Sequence, residues 1–497
     1  MLNREDWYSL ANKLDWNMRY VSEDDVFPPE MAGRTSIPRH VFAAEYDAPF
    51  KVSYREYVGN QREKDLKVMA VKEAVDRGNL FDKLDPSYRV LLQFHFGLAP
   101  FTEYGGALAE ARMARFGRAA EWRNLATFGC LDEIRHAQIQ LLIPHGFIRK
   151  DPKYAWAHKF YWTEDWASVA SRRFADDCFV GSNAIEIPLM LNFAFEVGLS
   201  NLQFVAMAAQ AFGSGDYEFG TMTQSIQTDE ARHAQIGTPL VRTLLKHGDR
   251  DFAEYLIWKA LWLSFRLVLV LTGTVMDYEI PLAHRKTSFK EFGREFVALQ
   301  LDRILADLGV RRPWFWDQFL YELEYSHHSF QVGIYAMRYT LWFDSRGPNP
   351  DERRWLVEHY PDWEEKFGGI WDTVIDNVKQ GRMEQTLGPR TLAILCNTCQ
   401  LPCCFPHPGQ VTLLSDMHAG RKYVFCSEPC RWIFRQETAR FAGQKTLLDR
   451  MLAGDIQPAT PEGVLRYMGF EHPEEAGKDV LDWSWAREYF PADRAAS

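Results

Sequence analysis

The stretch Asp132-Glu-Ile-Arg-His-Ala-Gln-Ile139 recurs 97 residues later as Asp229-Glu-Ala-Arg-His-Ala-Gln-Ile236. The two copies agree at seven of eight positions, which a coincidental match between two charged helices does not readily explain. Each copy contains Glu-x-x-His, and on a helix positions i and i+3 lie on one face. A carboxylate oxygen and an imidazole nitrogen one turn apart can bind one metal ion together. The repeat therefore predicts two metal-binding helices.

Two such helices need partners, because a di-iron carboxylate bundle adds one lone Glu from each of two further helices. Before Glu230, the nearly all-apolar segment 187–209 has Glu196 as its one acidic residue. Before Glu133, Glu103 and Glu110 are seven residues apart and lie on nearly the same helix face. We choose Glu103, which has small and apolar neighbours, and expect Glu110 to be a solvated or paired carboxylate. The order Glu, Glu-x-x-His, Glu, Glu-x-x-His predicts two antiparallel helix pairs in one bundle.

The residues around each motif are candidates for holding the histidines. A metal-bound imidazole usually donates its other N–H to a carboxylate, and Asp132 and Asp229 can accept it, with Arg135 and Arg232 holding them in turn. The alternative is a set of surface ion pairs worth little. A third Glu-x-x-His at Glu324 and His327 lacks the flanking Asp and Arg, so we interpret that histidine as a core or supporting residue.

Most of the cysteines are concentrated near the C-terminus. Two close pairs, Cys396-x2-Cys399 and Cys426-x3-Cys430, have the spacing of a tetrahedral zinc site. Such a closed site would be structural, and free buried cysteines are the alternative. Other side chains that can compete as ligands are Cys403, Cys404 and His407.

The pattern along the chain predicts a mainly α protein: a ferritin-like four-helix bundle within a larger helical domain, and a small α+β C-terminal module. We expect an N-terminal extension packing on the bundle (1–85), a di-iron helical core (86–390) and the module with the cysteine cluster (391–497). Strands should be few and mostly C-terminal. The breakers 144–146 and 213–215 are expected to separate long helices.

Charge and hydropathy exclude several classes of protein. The net charge of -10 argues against nucleic-acid or anionic-membrane partners. The most hydrophobic stretch, 255–276, contains Lys259 and Arg266, which argues against a membrane span. The charged first residues do not resemble a signal peptide. We therefore expect a soluble cytoplasmic protein.

The paired Asp-Glu-x-Arg-His motifs, together with Gly105-Gly-Ala-Leu-Ala-Glu-Ala-Arg-Met-Ala-Arg-Phe116, resemble the hydroxylase large (alpha) subunits of bacterial multicomponent di-iron monooxygenases. The resemblance covers nearly the whole chain and is strongest to the four-component alkene and toluene branch, especially alkene monooxygenase. It implies that Glu103, Glu133 and His136 bind one iron, and that Glu196, Glu230 and His233 bind the other. Glu133 and Glu230 are then placed to bridge the two irons.

The resemblance also implies a reaction and a set of partners. One atom of O2 enters the substrate and the other leaves as water, with NADH as the ultimate electron source. The implied partners are two smaller hydroxylase subunits in a doubled heterotrimer, a small effector protein, a Rieske-type ferredoxin and a flavoprotein NADH reductase. Ser200 occupies a position where the family commonly has Thr, so its hydroxyl is a candidate for proton delivery, with a back-bonding helix serine as the equal alternative. Asn201 and Gln227 match positions that respond to the effector.

Helix geometry and the resemblance together predict a compact, dry substrate pocket. Its expected lining is Ala99, Thr102, Gly106, Phe195 and Phe204, with Phe174 or Ala175 beside them. From the resemblance we expect epoxidation of short alkenes such as propene, with hydroxylation of aromatic rings as the alternative. A ferroxidase of the same fold is a weaker alternative, since such chains are generally far shorter. A tyrosyl-radical protein is also weaker, because Tyr104 directly follows a ligand and points off the metal-facing side.

Overall fold

The structure is a computed structural model, and it describes residues 3–150, 161–162, 164, 166–336, 347–380, 394–403, 414–458, 463 and 466–467. The predicted boundary near residue 390 lies outside these residues, and so do Cys404 and His407. The division into three domains stays a prediction.

The N-terminal part consists of short helices followed by one long helix. These are α1 (Arg4–Asn12), α2 (Glu23–Val26), α3 (Pro29–Ala32), α4 (Arg39–Glu45), α5 (Tyr54–Gly78) and a 3-10 turn (Leu80–Lys83). The long helix begins with a capping box between Ser53 and Glu56, which satisfies two backbone N–H groups that a helix start leaves open. It ends at Asn79 in the left-handed conformation.

The helices that carry the repeated motif and its lone glutamates follow next. They are α6 (Pro86–Phe116), α7 (Ala120–Phe147), α8 (Trp166–Ala175), α9 (Asn201–Gly213) and α10 (Tyr217–His233), with π-helical segments Asp176–Val180 and Pro188–Ser200. Helix α6 packs along α7, and α9 packs along α10, which also contacts α7 and α5. Short loops join each pair, so the paired helices are antiparallel, as in a four-helix bundle.

Two local features refine the expected pattern. The breaker residues 144–146 lie in the last turn of α7, which ends at Phe147, so this long helix ends where the pattern predicts. The apolar segment 187–209 is not one regular α-helix, because its first part is the π-helix Pro188–Ser200. A π segment inserts extra residues into a helical turn and is frequent at functional sites. Glu196 lies within it.

The remaining helices follow the bundle helices along the chain. They are α11 (Gly237–Lys246), α12 (Arg250–Ser264), α13 (Val270–Thr274), α14 (Phe289–Glu291), α15 (Leu299–Leu308), α16 (Trp316–Ala336), α17 (Pro350–His359) and α18 (Gly369–Lys379), with π segments Phe265–Leu269, Val275–Glu279, Phe292–Ala298 and Glu364–Gly368 and a 3-10 turn Leu282–His284. The helical stretch Arg250–Glu279 is long and apolar enough to cross a membrane, but 83% of its most apolar window is buried within the protein. A bent pair, Pro188–Ser200 with Gln203–Gly213, meets the same criterion only when taken as one span.

The C-terminal module is small and mixed. It contains β1 (Leu414–His418), β2 (Arg421–Phe425), α19 (Glu428–Gln436), α20 (Thr438–Ala442) and α21 (Leu447–Leu452). The strands pair antiparallel, with Asp416 opposite Tyr423. Lys259 of α12 anchors the module, since its Nζ lies 3.0 Å from Asp177 Oδ1 and 2.9 Å from Glu437 Oε1. The predicted mainly α fold with a small α+β module is confirmed.

Candidate metal centre

The structure brings all six predicted iron ligands into one cluster, in which Glu103 is half-buried and the other five are buried. Glu103, Glu133, His136 and Glu230 form one group of donor atoms, and Glu133, Glu196, Glu230 and His233 form a second. Within each group the donor atoms lie within 4.8 Å of one another. Glu133 and Glu230 belong to both groups, so the geometry offers two adjacent metal positions with two shared carboxylates.

Each histidine directs its Nδ1 atom towards this cluster. His136 Nδ1 lies 3.1 Å from Glu230 Oε1 and 3.7 Å from Glu103 Oε2. His233 Nδ1 lies 3.1 Å from Glu133 Oε1 and 3.8 Å from Glu230 Oε2. Both imidazoles are fully buried.

The charges of the cluster fit a bound cation. Burial, followed by repulsion from Glu230, raises the pKa of Glu133 and of Glu196 well above the usual value. Four carboxylates cannot all be ionised in a site of low dielectric unless positive charge compensates them. Among the described residues, His136 Nδ1 is a buried nitrogen with no partner in hydrogen-bond geometry, although Glu230 Oε1 lies 3.1 Å from it. Oxygen and imidazole donors of this kind suit iron.

The Asp of each motif serves the histidine of the other motif. His233 Nε2 lies 2.9 Å from Asp132 Oδ2, and His136 Nε2 lies 3.3 Å from Asp229 Oδ2. The partners are 101 and 93 residues apart in the chain. A carboxylate that accepts Nε2–H leaves Nδ1 unprotonated and free to bind a metal.

Three cations hold this pair of aspartates. Arg232 contacts both, Arg135 Nη1 lies 3.2 Å from Asp229 Oδ2, and Lys64 Nζ lies 2.5 Å from Asp229 Oδ1. The prediction that Arg135 and Arg232 support the aspartates matches these contacts. They are not surface pairs, because both aspartates are fully buried.

Helix α5 supplies supporting residues that the sequence interpretation missed. Gln61 Nε2 lies 2.6 Å from Asp132 Oδ1 and 2.7 Å from Asp229 Oδ1, so one amide links the two aspartates. Tyr57 OH donates to Asp132 at 2.9 Å. Tyr57, Gln61 and Lys64 are spaced so that they lie on one face of α5, and this spacing was the sequence signal that could have predicted their shared role.

A carboxamide holds each lone glutamate. Gln140 Nε2 donates to Glu103 Oε1 at 2.8 Å, and Asn192 Nδ2 donates to Glu196 Oε2 at 2.9 Å. Asn192 also donates to Glu110 Oε1 at 2.8 Å. Sequence reasoning missed both amides, although each lies four residues from a proposed ligand on the same helix.

The expectation for Glu110 is half wrong. The carboxyl is 0% exposed, so it is not solvated, and it is paired with the Asn192 amide. Burial raises its pKa to about 7. The nearby arginines lie on other faces of α6: Arg112 donates to the Ser182 carbonyl, and Arg115 donates to the Val26 carbonyl.

A cavity of about 170 Å³ lies against the metal ligands. All five predicted lining residues border it, and so does Phe174, whereas Ala175 is not among them. The complete lining is Leu91, His95, Leu98, Ala99, Thr102, Glu103, Gly106, Glu133, Ser171, Phe174, Phe179, Leu191, Phe195, Glu196, Ser200, Gln203, Phe204, Met207, Gln210, Glu230, Leu267, Val268, Leu271, Thr272 and Val275.

The remaining predicted residues of this region fall into three situations. Ser200 is buried and lines the cavity. Gln227 lies on α10 and is partly buried, while the side chain of Asn201 is outside the part that the structure describes. Tyr104 is 54% exposed, so its ring does not enter the cluster.

Four cysteine sulfurs form a separate buried group, contributed by Cys396, Cys399, Cys426 and Cys430. Cys399 Sγ lies 3.7 Å from Cys426 Sγ, which lies 3.6 Å from Cys430 Sγ. A tetrahedron with zinc–sulfur bonds of about 2.3 Å has edges of about 3.8 Å, whereas a disulfide needs about 2.05 Å. Cys403 is buried nearby but is not in the group of four.

The surroundings of the four sulfurs suit bound thiolates. Trp262 Nε1 donates to Cys430 Sγ at 3.2 Å, and the Thr398 backbone N–H donates to Cys396 Sγ at 3.4 Å. Burial lowers the pKa of Arg266, but attraction to Cys426 and Glu322 outweighs it and raises that pKa overall. One buried cation therefore lies beside the sulfur cluster.

In the third Glu-x-x-His the two side chains have different partners, and His327 forms a buried group of donor atoms with Asp277 and His328 rather than with Glu324. Glu324 contacts Arg294 and lies 3.4 Å from Lys290 Nζ, while His327 Nε2 donates to Asp277 Oδ2 at 2.7 Å. Asp277 Oδ2 also accepts the Tyr360 hydroxyl at 2.6 Å. His327 is thus a buried histidine in a hydrogen-bonded network, as the sequence interpretation proposed.

Comparison with known proteins places this arrangement in a family. A profile described as methane/phenol/alkene hydroxylase matches residues 16–248. The chain is 40% identical to the alpha subunit of the oxygenase component of the alkene monooxygenase system of Xanthobacter autotrophicus (strain ATCC BAA-1158 / Py2), over 98% of each chain. It is 27% identical to the oxygenase component of phenol 2-monooxygenase from Pseudomonas sp. (strain CF600), over 94% of this chain and 90% of the relative.

A solved structure has the same fold. Phenol hydroxylase from Pseudomonas sp. OX1 superposes with a TM-score of 0.87 at 24% identity, covering 99% of this chain and 100% of that chain. The resemblance stated from the motifs is confirmed: the chain belongs to the methane/phenol/alkene hydroxylase family, the hydroxylase alpha subunits of bacterial multicomponent monooxygenases.

Proposed function

We propose that this chain is the oxygenase alpha subunit of an alkene monooxygenase, with a di-iron centre that uses O2 and electrons from NADH to epoxidise short alkenes such as propene. The observation that carries the proposal is the pair of carboxylate–histidine groups that share Glu133 and Glu230 beside an apolar cavity.

In this proposal Glu103, Glu133 and His136 hold one iron, and Glu196, Glu230 and His233 hold the other. The iron pair, when bound and reduced, supplies the activation of O2 and the transfer of one oxygen atom. Asp132 and Asp229 keep the imidazoles in the tautomer that exposes Nδ1. Ser200 is proposed to hold or pass a proton at its hydroxyl, because its side chain borders the cavity that the ligands also line.

The cavity selects for size and low polarity. Phe174, Phe195 and Phe204 contribute apolar surface, while Ala99 and Gly106 leave room next to the ligands. An apolar cavity of about 150 Å³ accommodates benzene. The volume of about 170 Å³ therefore supports the aromatic alternative as well as a short alkene. We favour the alkene because the relative that is 40% identical is named an alkene monooxygenase component.

The other components are proposed by analogy with multicomponent relatives. They are two smaller hydroxylase subunits in a doubled heterotrimer, an effector protein, a Rieske-type ferredoxin and a flavoprotein NADH reductase, all in the cytoplasm. The group of four cysteines is proposed to hold structural zinc, because four thiolates leave no open position for substrate.

The test is a single-turnover labelling experiment on the complete complex. The reduced oxygenase with its effector is mixed with 18O2 and either propene or toluene, and the products are analysed by mass spectrometry. One 18O atom in propene oxide, formed faster than any cresol, supports the proposal. Faster labelled cresol would favour the aromatic alternative, and no labelled product with an iron-loaded complex would refute the oxygenase function.

A further inference from the structure

The two lone glutamates of the proposed centre, Glu103 and Glu196, accept hydrogen bonds from amides that are themselves held differently. Gln140 donates one N–H to Glu103, and Asn192 donates both of its N–H bonds to carboxylates, namely Glu110 and Glu196. Gln140 and Asn192 are both fully buried. Only the amide of Gln140 has a histidine at its other end: His95 Nε2 lies 2.5 Å from Gln140 Oε1.

The donor and acceptor in the His95–Gln140 hydrogen bond follow from the hydrogen bond between Gln140 and Glu103. An ionised carboxylate can only accept, so the NH2 group of Gln140 must face Glu103. Its carbonyl oxygen then faces His95, and an oxygen that accepts requires a donor at Nε2. His95 must therefore carry its proton on Nε2.

The surroundings of His95 agree with a neutral ring. Burial lowers the pKa of His95 to about 4, and a neutral imidazole has a single N–H to donate. The ring is also fixed by packing, because its centroid lies 4.8 Å from that of Phe219 in an edge-on contact. A fixed donor of this kind keeps the Gln140 amide from rotating by half a turn.

The consequence reaches Glu103. Its Oε1 is occupied by Gln140, and its Oε2 is the oxygen that lies 3.7 Å from His136 Nδ1. A flipped amide would direct the oxygen of Gln140 at a carboxylate and release Glu103 from this orientation. We propose that His95 is a positioning residue, which fixes Gln140 and thereby holds Glu103 with one oxygen towards the metal position next to His136. This inference rests on the proposed metal site.

The test separates the hydrogen bond from the packing. His95→Phe keeps a ring against Phe219 but has no donor, whereas His95→Gln places an amide N–H near the original Nε2. Gln140→Leu removes the amide, and the double variant His95→Phe/Gln140→Leu completes a double-mutant cycle. Each purified complex is loaded with ferrous iron under anaerobic conditions and mixed with a ferrous chelator, and the rate of iron release is followed by absorbance.

The inference predicts a specific pattern. Mutation of residues that support metal ligands typically changes metal affinity about 10- to 100-fold. His95→Phe should therefore release the iron at the position next to His136 at least about 10-fold faster than the wild type. His95→Gln should stay near the wild type, and His95→Phe should add little in the Gln140→Leu background. The inference would be overturned if His95→Phe released iron at the wild-type rate, or if the effects of His95→Phe and Gln140→Leu on the release rate were fully additive. Neither result would count against the metal site itself. A wild-type complex that holds no iron would instead refute the proposed function.

Discussion

Replacing Asp132 by Asn tests whether the aspartate of each motif supports the histidine of the other motif. Sequence proximity pairs Asp132 with His136, four residues further along the same helix. The structure pairs it with His233, at 2.9 Å between Asp132 Oδ2 and His233 Nε2. Asp132 Oδ1 now accepts from Tyr57 and Gln61, and its Oδ2 lies against Arg232 and His233. An Asn side chain keeps the shape but has only one acceptor oxygen for these four groups.

The expected magnitude follows from the role of this carboxylate. Loss of such a partner typically costs 10- to 100-fold in metal affinity, which equals about 1.4–2.8 kcal/mol. The loss should fall on the metal position next to His233. A coupling free energy of about 0.5–3 kcal/mol is expected between Asp132→Asn and His233→Asn, and close to none with His136→Asn.

The assay is anaerobic ferrous binding in competition with a chelator, for the single and double variants. Asp65→Asn is the matched control, because Asp65 Oδ1 lies 2.7 Å from Arg135 Nε but the side chain is 51% exposed. It should bind iron within about twofold of the wild type, as expected for an exposed ion pair. Coupling of Asp132→Asn to His136 instead of His233, or an equal loss in Asp65→Asn, would refute the reasoning.

Three further outcomes are expected. Because burial raises the folded-state pKa values of Glu133 and Glu196 well above 4.5 and that of Glu110 to about 7, the folded metal-free protein holds protons that the unfolded chain releases. Its melting temperature should fall between pH 6 and pH 8, and iron should weaken this dependence; a rise with pH would contradict it. Cys399→Ser should remove about one zinc per chain and leave iron in place, as metal analysis will show; unchanged zinc would exclude the four-thiolate site. Ser200→Ala should lower the yield of product per O2 consumed, whereas Ser200→Thr restores the hydroxyl and should match the wild type; equal coupling in all three would remove Ser200 from proton handling.

Much of the centre could be predicted from the sequence because its signals are local. Glu-x-x-His has the period of one helical turn, and Glu196 stands out as an acid in an apolar segment. The fold class followed from the number and spacing of those helices, and the structural match confirms it.

The unpredicted parts depend on contacts between helices. Which aspartate serves which histidine is set by the relative position of α7 and α10, and no local pattern contains that information. Gln61 and Tyr57 come from α5, which reads in the sequence only as a charged helix. The same holds for His95, whose partner Gln140 lies on another helix.

The error over Glu110 has a similar cause. Arg112 and Arg115 are near it in sequence, but they are at i+2 and i+5, and only i+3 and i+4 face position i on a helix. The side chain that Glu110 meets is Asn192, on the π-helix Pro188–Ser200. A departure from regular helical geometry changes which residues face inward, and the apolar composition of that segment does not reveal it.

Iron analysis of the purified wild-type complex and of Glu230→Ala tests the central claim most directly, since Glu230 belongs to both groups of donors. Two positions that share this carboxylate predict about two irons per alpha chain in the wild type and less than one in the variant. Zinc in the same samples should be unchanged, which controls for unfolding. Wild-type iron content in Glu230→Ala would contradict a centre built on shared carboxylates.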